Sequence, residues 1–265
     1  MLKIIYKGLW ILLVIIANVY EAVQWLLMYL DSKYKLLKQI YFNNLDGIYE
    51  IKVLEECKSI LTKKPNHVCA IIGKTFDSSS EILSKLAAYA LICDIDFISF
   101  YDTKEEFTLD HIHIPQFVSS QKMSNGRFLW SMPADKKRVG QLKYKNGLDK
   151  SIQVVSLSCK DGRPLLAEVC KELWLQRDSD EIKDAVNNKN KLADKISSEI
   201  QKKLNNLPDP DLVIIFDKIM CTYGLLPWNI GFSEFYQVKN SEFFNVDDFA
   251  NILYKYSKCE QRFGK

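Results

Sequence analysis

Four short apolar runs constrain the fold of this chain more than any other feature of its sequence. They are His67–Ile72, Phe97–Tyr101, Ile152–Leu157 and Leu212–Phe216. Runs that are apolar at nearly every position fit strands covered on both faces, as in a parallel sheet. Helical patterns separate the runs, and such alternation is typical of a layered α/β fold. We therefore predict a mostly parallel central sheet flanked by helices.

The helical patterns between these runs have recognisable starts and ends. Ser78-x-x-Glu81 is a capping-box signature, and Asp161-Gly162-Arg163-Pro164 predicts a turn that opens a helix. The pattern from Ile182 to Leu204 predicts one helix that Pro208-Asp209-Pro210 ends. A last helix is predicted over Val246–Lys258, just before the C-terminus.

An apolar stretch near the N-terminus, Gly8 to Leu30, predicts a membrane anchor. As a helix it would be about 34 Å long, which exceeds the roughly 30 Å of a bilayer core. Asn18, Glu21 and Gln24 interrupt it at intervals of three, so they lie near one helical face and either meet a partner helix or face solvent. A cleavable signal peptide or a buried core helix are the alternatives. Lysines flank both ends, so the positive-inside rule does not decide the orientation.

The chain therefore divides into three predicted parts: the anchor over 1–30, a basic helical connector over 31–64, and a globular domain over 65–265. Residues 103–150 are interpreted as a variable excursion of unassigned role. The formal net charge is +3, and residues 1–40 hold five basic and two acidic residues, so the rest is neutral. Proteins that bind nucleic acid usually carry a concentrated basic surface, and we expect no nucleic-acid partner.

The cysteines predict a reducing environment. There are seven, an odd number, and none forms a C-x-x-C pair. Cys69, Cys93, Cys159 and Cys170 lie in or beside apolar runs, where cysteine behaves as a small hydrophobic residue. We interpret them as reduced core thiols in a domain that faces the cytosol.

Signatures of catalysis are sparse. His111 and His113 could present two metal ligands on one strand face, but no cysteine or carboxylate follows at a ligand spacing, so a surface strand is favoured. Two D-x-D triplets, Asp94-Ile95-Asp96 and Asp209-Pro210-Asp211, could hold Mg²⁺. Both lie beside strand ends, where aspartate is common in turns, and the turn interpretation is favoured. No Walker-type loop, G-x-S-x-G elbow or G-x-G-x-x-G motif occurs.

The C-terminus is the strongest candidate site. Arg262 and Gly264 lie in the final segment Cys259–Lys265, directly after the last predicted helix. Arginine offers a forked donor for phosphate oxygens, and a glycine backbone N–H can approach an anion closely. On pattern alone this segment would be a frayed terminus.

Three stretches together resemble the Nogo-B receptor family, the non-catalytic subunit of the eukaryotic cis-prenyltransferase complex. They are Pro208–Val213 continuing into Gly224–Trp228, the terminal R-x-G segment, and HVCAIIGK at 67–74 with FISFYD at 97–102. The resemblance implies a cis-prenyltransferase-like fold behind a membrane anchor. It also implies a catalytic partner, dehydrodolichyl diphosphate synthase, whose long-chain polyprenyl diphosphate serves dolichol synthesis and protein glycosylation.

Departures from catalytic members of that superfamily imply that the chain is inactive alone. Catalytic members carry an Asp-Gly-Asn loop after the first strand, and its aspartate holds Mg²⁺. This chain has Ile72-Gly73-Lys74-Thr75 there, and Asp77 lies too far along to be assumed a substitute. Catalytic members also place two arginines and a serine after the late strand, where this chain has Ile215-Phe216 and, further on, Cys221.

The contribution implied by the resemblance is made in trans. Arg262 would bind the diphosphate of isopentenyl diphosphate in the partner's site, and Gly264 would donate its backbone N–H to the same group. Mg²⁺ is expected on the partner and no metal on this chain. The implied location is the endoplasmic reticulum membrane, where lipid would receive the product. The alternatives are an atypical single-subunit prenyltransferase that uses Asp77 or Asp102, and a membrane-anchored binding protein without prenyl chemistry.

Overall fold

The computed structural model describes residues 2–41, 48–74, 80–104, 112, 141–145, 151–239 and 244–260. The chain forms two compact units, Met1–Tyr49 and Glu50–Lys265. The second unit includes the helix that precedes the first strand as well as the domain predicted to begin near Pro65. The predicted boundaries at 30 and 64 remain predictions.

The first unit contains one long helix, α1 (Leu2–Tyr41). Its segment Ile5–Asp31 is long and apolar enough to cross a membrane, and none of its most apolar window is buried by protein. This agrees with the predicted membrane anchor in length and composition. The helix continues beyond Leu30, so the predicted end of the anchor falls inside a continuous helix. Asn18, Glu21 and Gln24 are all exposed on it.

The second unit is a sheet flanked by helices. Its strands are β1 (His67–Ile72), β2 (Phe97–Asp102), β3 (Gln141–Lys145), β4 (Ser151–Ser158), β5 (Leu212–Phe216) and β6 (Glu234–Val238). Its helices are α2 (Ile48–Ile60), α3 (Ser80–Ile92), α4 (Arg163–Leu175), α5 (Asp180–Val186), α6 (Lys189–Lys203) and α7 (Val246–Lys258).

The strand order is β3-β4-β2-β1-β5-β6. The strands β4, β2, β1, β5 and β6 are parallel, and β3 pairs antiparallel with β4 at one edge. Every residue of β1 and of β5 is buried, as expected for central parallel strands with helices on both faces. The predicted fold class is therefore confirmed, and each of the four apolar runs forms a strand.

The helix predicted from Ile182 to Leu204 is wrong as a single element. The structure has two helices, α5 and α6, which meet at Asn187 and Asn188. The side-chain oxygen of Asn188 accepts hydrogen bonds from the backbone N–H groups of Asn190 and Lys191, and so caps a new helix. Asparagine is among the best capping residues because its side chain satisfies backbone donors that the first turn leaves free.

The core interpretation of the cysteines is correct for two residues and wrong for two. Cys69 and Cys93 are buried, whereas Cys159 and Cys170 are exposed. Cys159 begins a short 3-10 turn after β4, and Cys170 lies on the outer side of α4. Cys57 is buried instead, because it lies on the face of α2 that packs against α7. All seven thiols are free.

The last helix, α7, runs from the C-terminal ends of the parallel strands back to their N-terminal ends. We call the side of the sheet where the parallel strands end the carboxyl edge, and the side where they begin the amino edge. Just before α7, the ring of Phe244 lies 5.1 Å from that of Phe216, the last residue of β5. At the other end of α7, Thr62 Oγ1, which lies before β1, donates to the Ser257 carbonyl at 2.7 Å. The chain therefore leaves α7 at the amino edge.

Candidate functional site

Parallel α/β sheets bind ligands at the carboxyl edge, since loops and helix N-termini converge there. In this chain four neighbouring parallel strands, β4, β2, β1 and β5, end at that edge. The residues at their ends are Ser158, Asp102, Gly73 and Asp217.

Asp217 follows β5 directly and is 3% exposed. The Tyr223 hydroxyl donates to its Oδ2 at 2.6 Å, and the Ile219 N–H lies 3.4 Å from its Oδ1. The hydrogen bond to Asp217 raises the pKa of Tyr223 to about 12. The Asp217 carbonyl accepts from Gln237 Nε2 at 3.1 Å, which ties this end of β5 to β6. The carboxylate therefore accepts hydrogen bonds from the loop that follows β5 and holds that loop in place.

Gly73 follows β1 directly, beside Asp217. Its N–H donates to the Phe216 carbonyl at 3.1 Å, which extends the pairing of β1 with β5 by one bond. A Cβ atom on residue 73 would lie 2.0 Å from Asp217 Oδ2. Carbon and oxygen cannot approach so closely, so the arrangement of Asp217 requires glycine at this position. No other side chain fits at the end of β1 unless Asp217 moves.

Asp102 is the last residue of β2 and is also 3% exposed. Its Oδ1 accepts the N–H of Lys104 at 2.9 Å. The next residue, Thr103, donates both its N–H and its hydroxyl to the Ile72 carbonyl, at 3.3 and 2.9 Å. The turn after β2 is thus bonded back to the end of β1.

The loop between β5 and β6 covers this edge. The Tyr101 hydroxyl, on β2, donates to the Tyr223 carbonyl at 2.9 Å, and burial raises the pKa of Tyr101 to about 12. Gly224 adopts φ of +82°, and its carbonyl oxygen would lie 2.2 Å from a Cβ on Gly162, just before α4. The backbone at Gly162 therefore lies so close to the backbone at Gly224 that residue 162 has no room for a side chain.

The candidate residues named from the sequence fall into three groups. Arg262, Gly264, His111, His113 and Asp77 lie outside the described residues, as do the Ser78 capping signature and most of 103–150. Ile215 and Phe216 are wholly buried in β5, and Cys221 is exposed in the following loop. Of the ligands considered for a single-subunit enzyme, Asp102 does lie at the carboxyl edge.

Both D-x-D triplets lie at the amino edge and have structural partners. Asp211 Oδ2 accepts the N–H groups of Asn66 and His67, at 2.7 and 3.1 Å, before β1. Asp209 Oδ1 accepts from the Asn229 amide at 2.6 Å, and Asp94 pairs with the Lys58 ammonium. The turn interpretation therefore describes these contacts better than a metal site. Within the described part of the chain, no group of three or more His, Cys, Asp or Glu could hold a metal ion.

His67 is a buried structural residue at the start of β1. Its Nδ1 lies 2.7 Å from the Pro208 carbonyl, which can only accept, so Nδ1 carries the proton. Its Nε2 lies 2.8 Å from the Ser99 hydroxyl. Burial lowers the pKa of His67 to about 4, because the charged ring would lose its hydration.

Sequence reasoning missed Asp217, Tyr223 and the constraint on Gly73. An aspartate immediately after the apolar run LVIIF is the one local signal for Asp217. Nothing local indicates that this aspartate lies against residue 73, because β1 and β5 are neighbours only in the folded sheet.

Comparison with known proteins adds to this geometry. The chain is 25% identical over 213 residues to the dehydrodolichyl diphosphate synthase complex subunit NUS1 of Homo sapiens. That match covers 77% of this chain and 68% of the human protein. The mouse counterpart is 23% identical over 210 residues, covering 77% of this chain and 67% of that protein. The predicted resemblance is confirmed.

The fold agrees with this resemblance. Lavandulyl diphosphate synthase from Lavandula x intermedia, solved in complex with dimethylallyl diphosphate, superposes with a TM-score of 0.50 at 15% identity. The match covers 76% of this chain and 99% of that structure. The globular unit is thus cis-prenyltransferase-like in fold. No family model matches the chain.

Proposed function

We propose that this chain is the accessory, non-catalytic subunit of a heteromeric cis-prenyltransferase, the dehydrodolichyl diphosphate synthase complex. Its partner is the catalytic subunit, which makes long-chain polyprenyl diphosphate for dolichol synthesis and protein glycosylation. The similarity to two curated subunits of that complex and the cis-prenyltransferase-like fold support the assignment.

The observation that carries the non-catalytic part is the contact between Gly73 and Asp217. Catalytic relatives are expected to hold Mg²⁺ with an aspartate just after the first strand. Here that position has no space for a Cβ, since Asp217 Oδ2 would lie 2.0 Å from it. Asp217 in turn is held by Tyr223. A metal-binding carboxylate at position 73 is therefore incompatible with the folded loop.

The late strand supports the same conclusion. Ile215 and Phe216 stand where catalytic relatives are expected to carry arginine for isopentenyl diphosphate, and both side chains are fully buried. Apolar side chains cannot offset the cost of removing a diphosphate from water. The carboxyl edge of this chain thus offers little to bind substrate.

The route of the C-terminus supports action in trans. The chain leaves α7 at the amino edge, and α7 is 13 residues long, which separates its two ends by about 20 Å. The segment that holds Arg262 and Gly264 therefore starts on the opposite side of the sheet from Asp102 and Asp217. This start favours a site on a partner over the chain's own carboxyl edge.

In this proposal Arg262 and Gly264 complete the partner's site for isopentenyl diphosphate. Arg262 stabilises the charge of the diphosphate through its forked N–H donors, and Gly264 adds a backbone N–H. Mg²⁺ is bound by the partner. The membrane is that of the endoplasmic reticulum, with the globular unit on the cytosolic side. Anchoring to lipid also gives the very apolar product a direct route into the bilayer.

A reconstitution experiment separates the candidate functions. The purified full chain is incubated with farnesyl diphosphate, isopentenyl diphosphate and Mg²⁺, alone and with the catalytic subunit. We expect no product from the chain alone and a large increase in the partner's turnover on mixing. Product from the chain alone would establish the single-subunit alternative. Unchanged turnover of the partner would leave the binding-protein alternative.

A further inference from the structure

An apolar groove lies between α4, α5 and α6. We call it the helical groove, and its volume is about 510 Å³. Small-molecule sites typically measure about 300–1,000 Å³, so it is large enough for a ligand of that size. Most of its lining is apolar and includes Cys170, Leu173, Trp174, Ile182, Val186 and Ile196.

The floor and the rim of the groove differ in exposure. Leu173 and Ile182, at the floor, are 7% and 2% exposed. Trp174 and Val186, at the rim, are 66% and 59% exposed. Exposure of large apolar side chains around an apolar floor is unusual for a surface with no ligand or partner. Cys170, predicted to be a core thiol, lines this groove beside Trp174 instead.

Three charged residues line the same groove: Arg177, Asp178 and Lys183. The Arg177 guanidinium lies over the Trp174 ring at 4.9 Å and donates through Nη1 to the Trp174 carbonyl at 3.3 Å. The Asp178 carboxylate is 3.9 Å from Arg177 Nη2, beyond hydrogen-bonding distance, and its side chain is 85% exposed. The Arg177 guanidinium is therefore held against Trp174 at the rim, and its other N–H groups can donate to a ligand.

We propose that the helical groove binds the chain of a long-chain fatty acid, with the carboxylate held by Arg177 and Lys183. The apolar floor takes the hydrocarbon chain, and burying each CH₂ is favourable by about 0.8 kcal/mol. The forked guanidinium of Arg177 matches the two oxygens of a carboxylate, and Lys183 adds a second positive charge. The exposed Trp174 and Val186 would be covered by the same chain.

The charge of the groove favours a carboxylate over a diphosphate. Arg177, Lys183 and Asp178 together carry one net positive charge, which a single carboxylate neutralises. A prenyl diphosphate carries two or three negative charges and would leave the groove with an excess of negative charge beside Asp178. Fatty-acid binding here is independent of prenyl transfer and of the C-terminal tail.

Photo-crosslinking tests this site in the full chain. The protein is placed in phosphatidylcholine nanodiscs with a palmitic acid analogue that carries a diazirine on its chain, and labelled peptides are identified by mass spectrometry. We expect label on peptides from 165–175 and 182–196, removed by excess palmitate and not by hexadecanol, which lacks the carboxylate. Loss of both cations in Arg177→Gln/Lys183→Gln should reduce this label about tenfold or more.

Two further variants serve as controls. Lys171→Gln removes an exposed charge of the same helix outside the groove, and should label like the unchanged protein. Cys170→Trp fills the groove and should lose the label, with an unchanged circular dichroism spectrum as evidence of folding. Label confined to α1, equal label in the double variant, or equal competition by hexadecanol would overturn the proposal. Stronger competition by farnesyl diphosphate than by palmitate would show that the ligand class is wrong.

Discussion

The two edges of the sheet use polar residues in different ways. At the carboxyl edge, where related folds bind substrate, Asp217 and Tyr223 bond to each other and lie against Gly73. At the amino edge, Asp211 holds the start of β1, and α7 ends nearby with the tail still to follow. The first edge is closed by the chain's own contacts, and α7 ends at the second. The same set of parallel strands thus carries two clusters of polar residues, one at each end, and both hold the chain's own loops.

The largest effect is expected from Arg262→Ala, which tests the proposed role of this residue in the partner's site. Removing one preorganised charge-stabilising donor costs about a hundredfold or more in turnover. We expect that loss in the two-subunit complex with farnesyl and isopentenyl diphosphates. Assembly, followed by size-exclusion chromatography, should be unchanged.

Lys258→Ala is the matched control, since it removes a positive charge from the last turn of α7, where the ammonium lies over the Tyr254 ring. It should leave turnover within about twofold. Equal losses in the two variants would mean that general positive charge, rather than Arg262, matters.

The next effect concerns the pH dependence of stability at the amino edge. The pKa of His67 is lowered from 6.5 to about 4 by burial, so on acidification the unfolded state takes up this proton first. The free energy of unfolding is therefore unaffected by His67 above about pH 6.5. As the pH falls from there toward 4, protonation of His67 in the unfolded state lowers that free energy by up to about 3 kcal/mol.

Urea unfolding of the globular unit between pH 7 and 4 measures this loss. His67→Gln keeps a donor for Pro208 and an acceptor for Ser99 but has no proton to gain. Its unfolding free energy should fall less steeply than that of the unchanged protein. Parallel curves would mean that other groups account for the acid sensitivity.

A third experiment tests whether the carboxyl edge is closed. Gly73→Ala forces a Cβ against Asp217, and overpacking of this kind costs about 1–3 kcal/mol of unfolding free energy. Gly231→Ala is the matched control, because nothing lies within 4 Å of a Cβ there. Combining Gly73→Ala with Asp217→Ala should cost less than the sum of the single changes, since the clash is relieved. Additive costs would contradict the contact.

The smallest effect is expected for Tyr223→Phe, which removes the 2.6 Å donor to Asp217 and little volume. A buried carboxylate that loses one donor destabilises the protein by about 1–2 kcal/mol. The loss should shrink in an Asp217→Asn background, where the partner is uncharged. An unchanged loss there would place the role of Tyr223 in packing.

Much of the fold was predictable from local pattern. Apolar runs identified β1, β2, β4 and β5, and the amphipathic pattern of Val246–Lys258 gave the bounds of α7 as the structure has them. β6 was missed because its residues are half-exposed on an edge strand and lack a continuous apolar run. The break between α5 and α6 was missed because apolar periodicity continues across Asn188, whose capping bonds decide the boundary.

The candidate site was predictable only in part. Arg262 and Gly264 follow from the resemblance and stay a prediction, because both lie outside the described residues. The arrangement of Gly73, Asp217 and Tyr223 was not visible, because it joins segments more than 140 residues apart.

The sequence alone determined the four central strands β1, β2, β4 and β5 and the stretch that is apolar enough for a membrane. These features depend on neighbours within a few residues. Only the tertiary structure decided that the end of β1 has no room for a side chain, that Cys170 and Trp174 face a groove, and that the tail leaves from the amino edge. These depend on the order of strands in the sheet and on the direction of α7, which long-range packing sets.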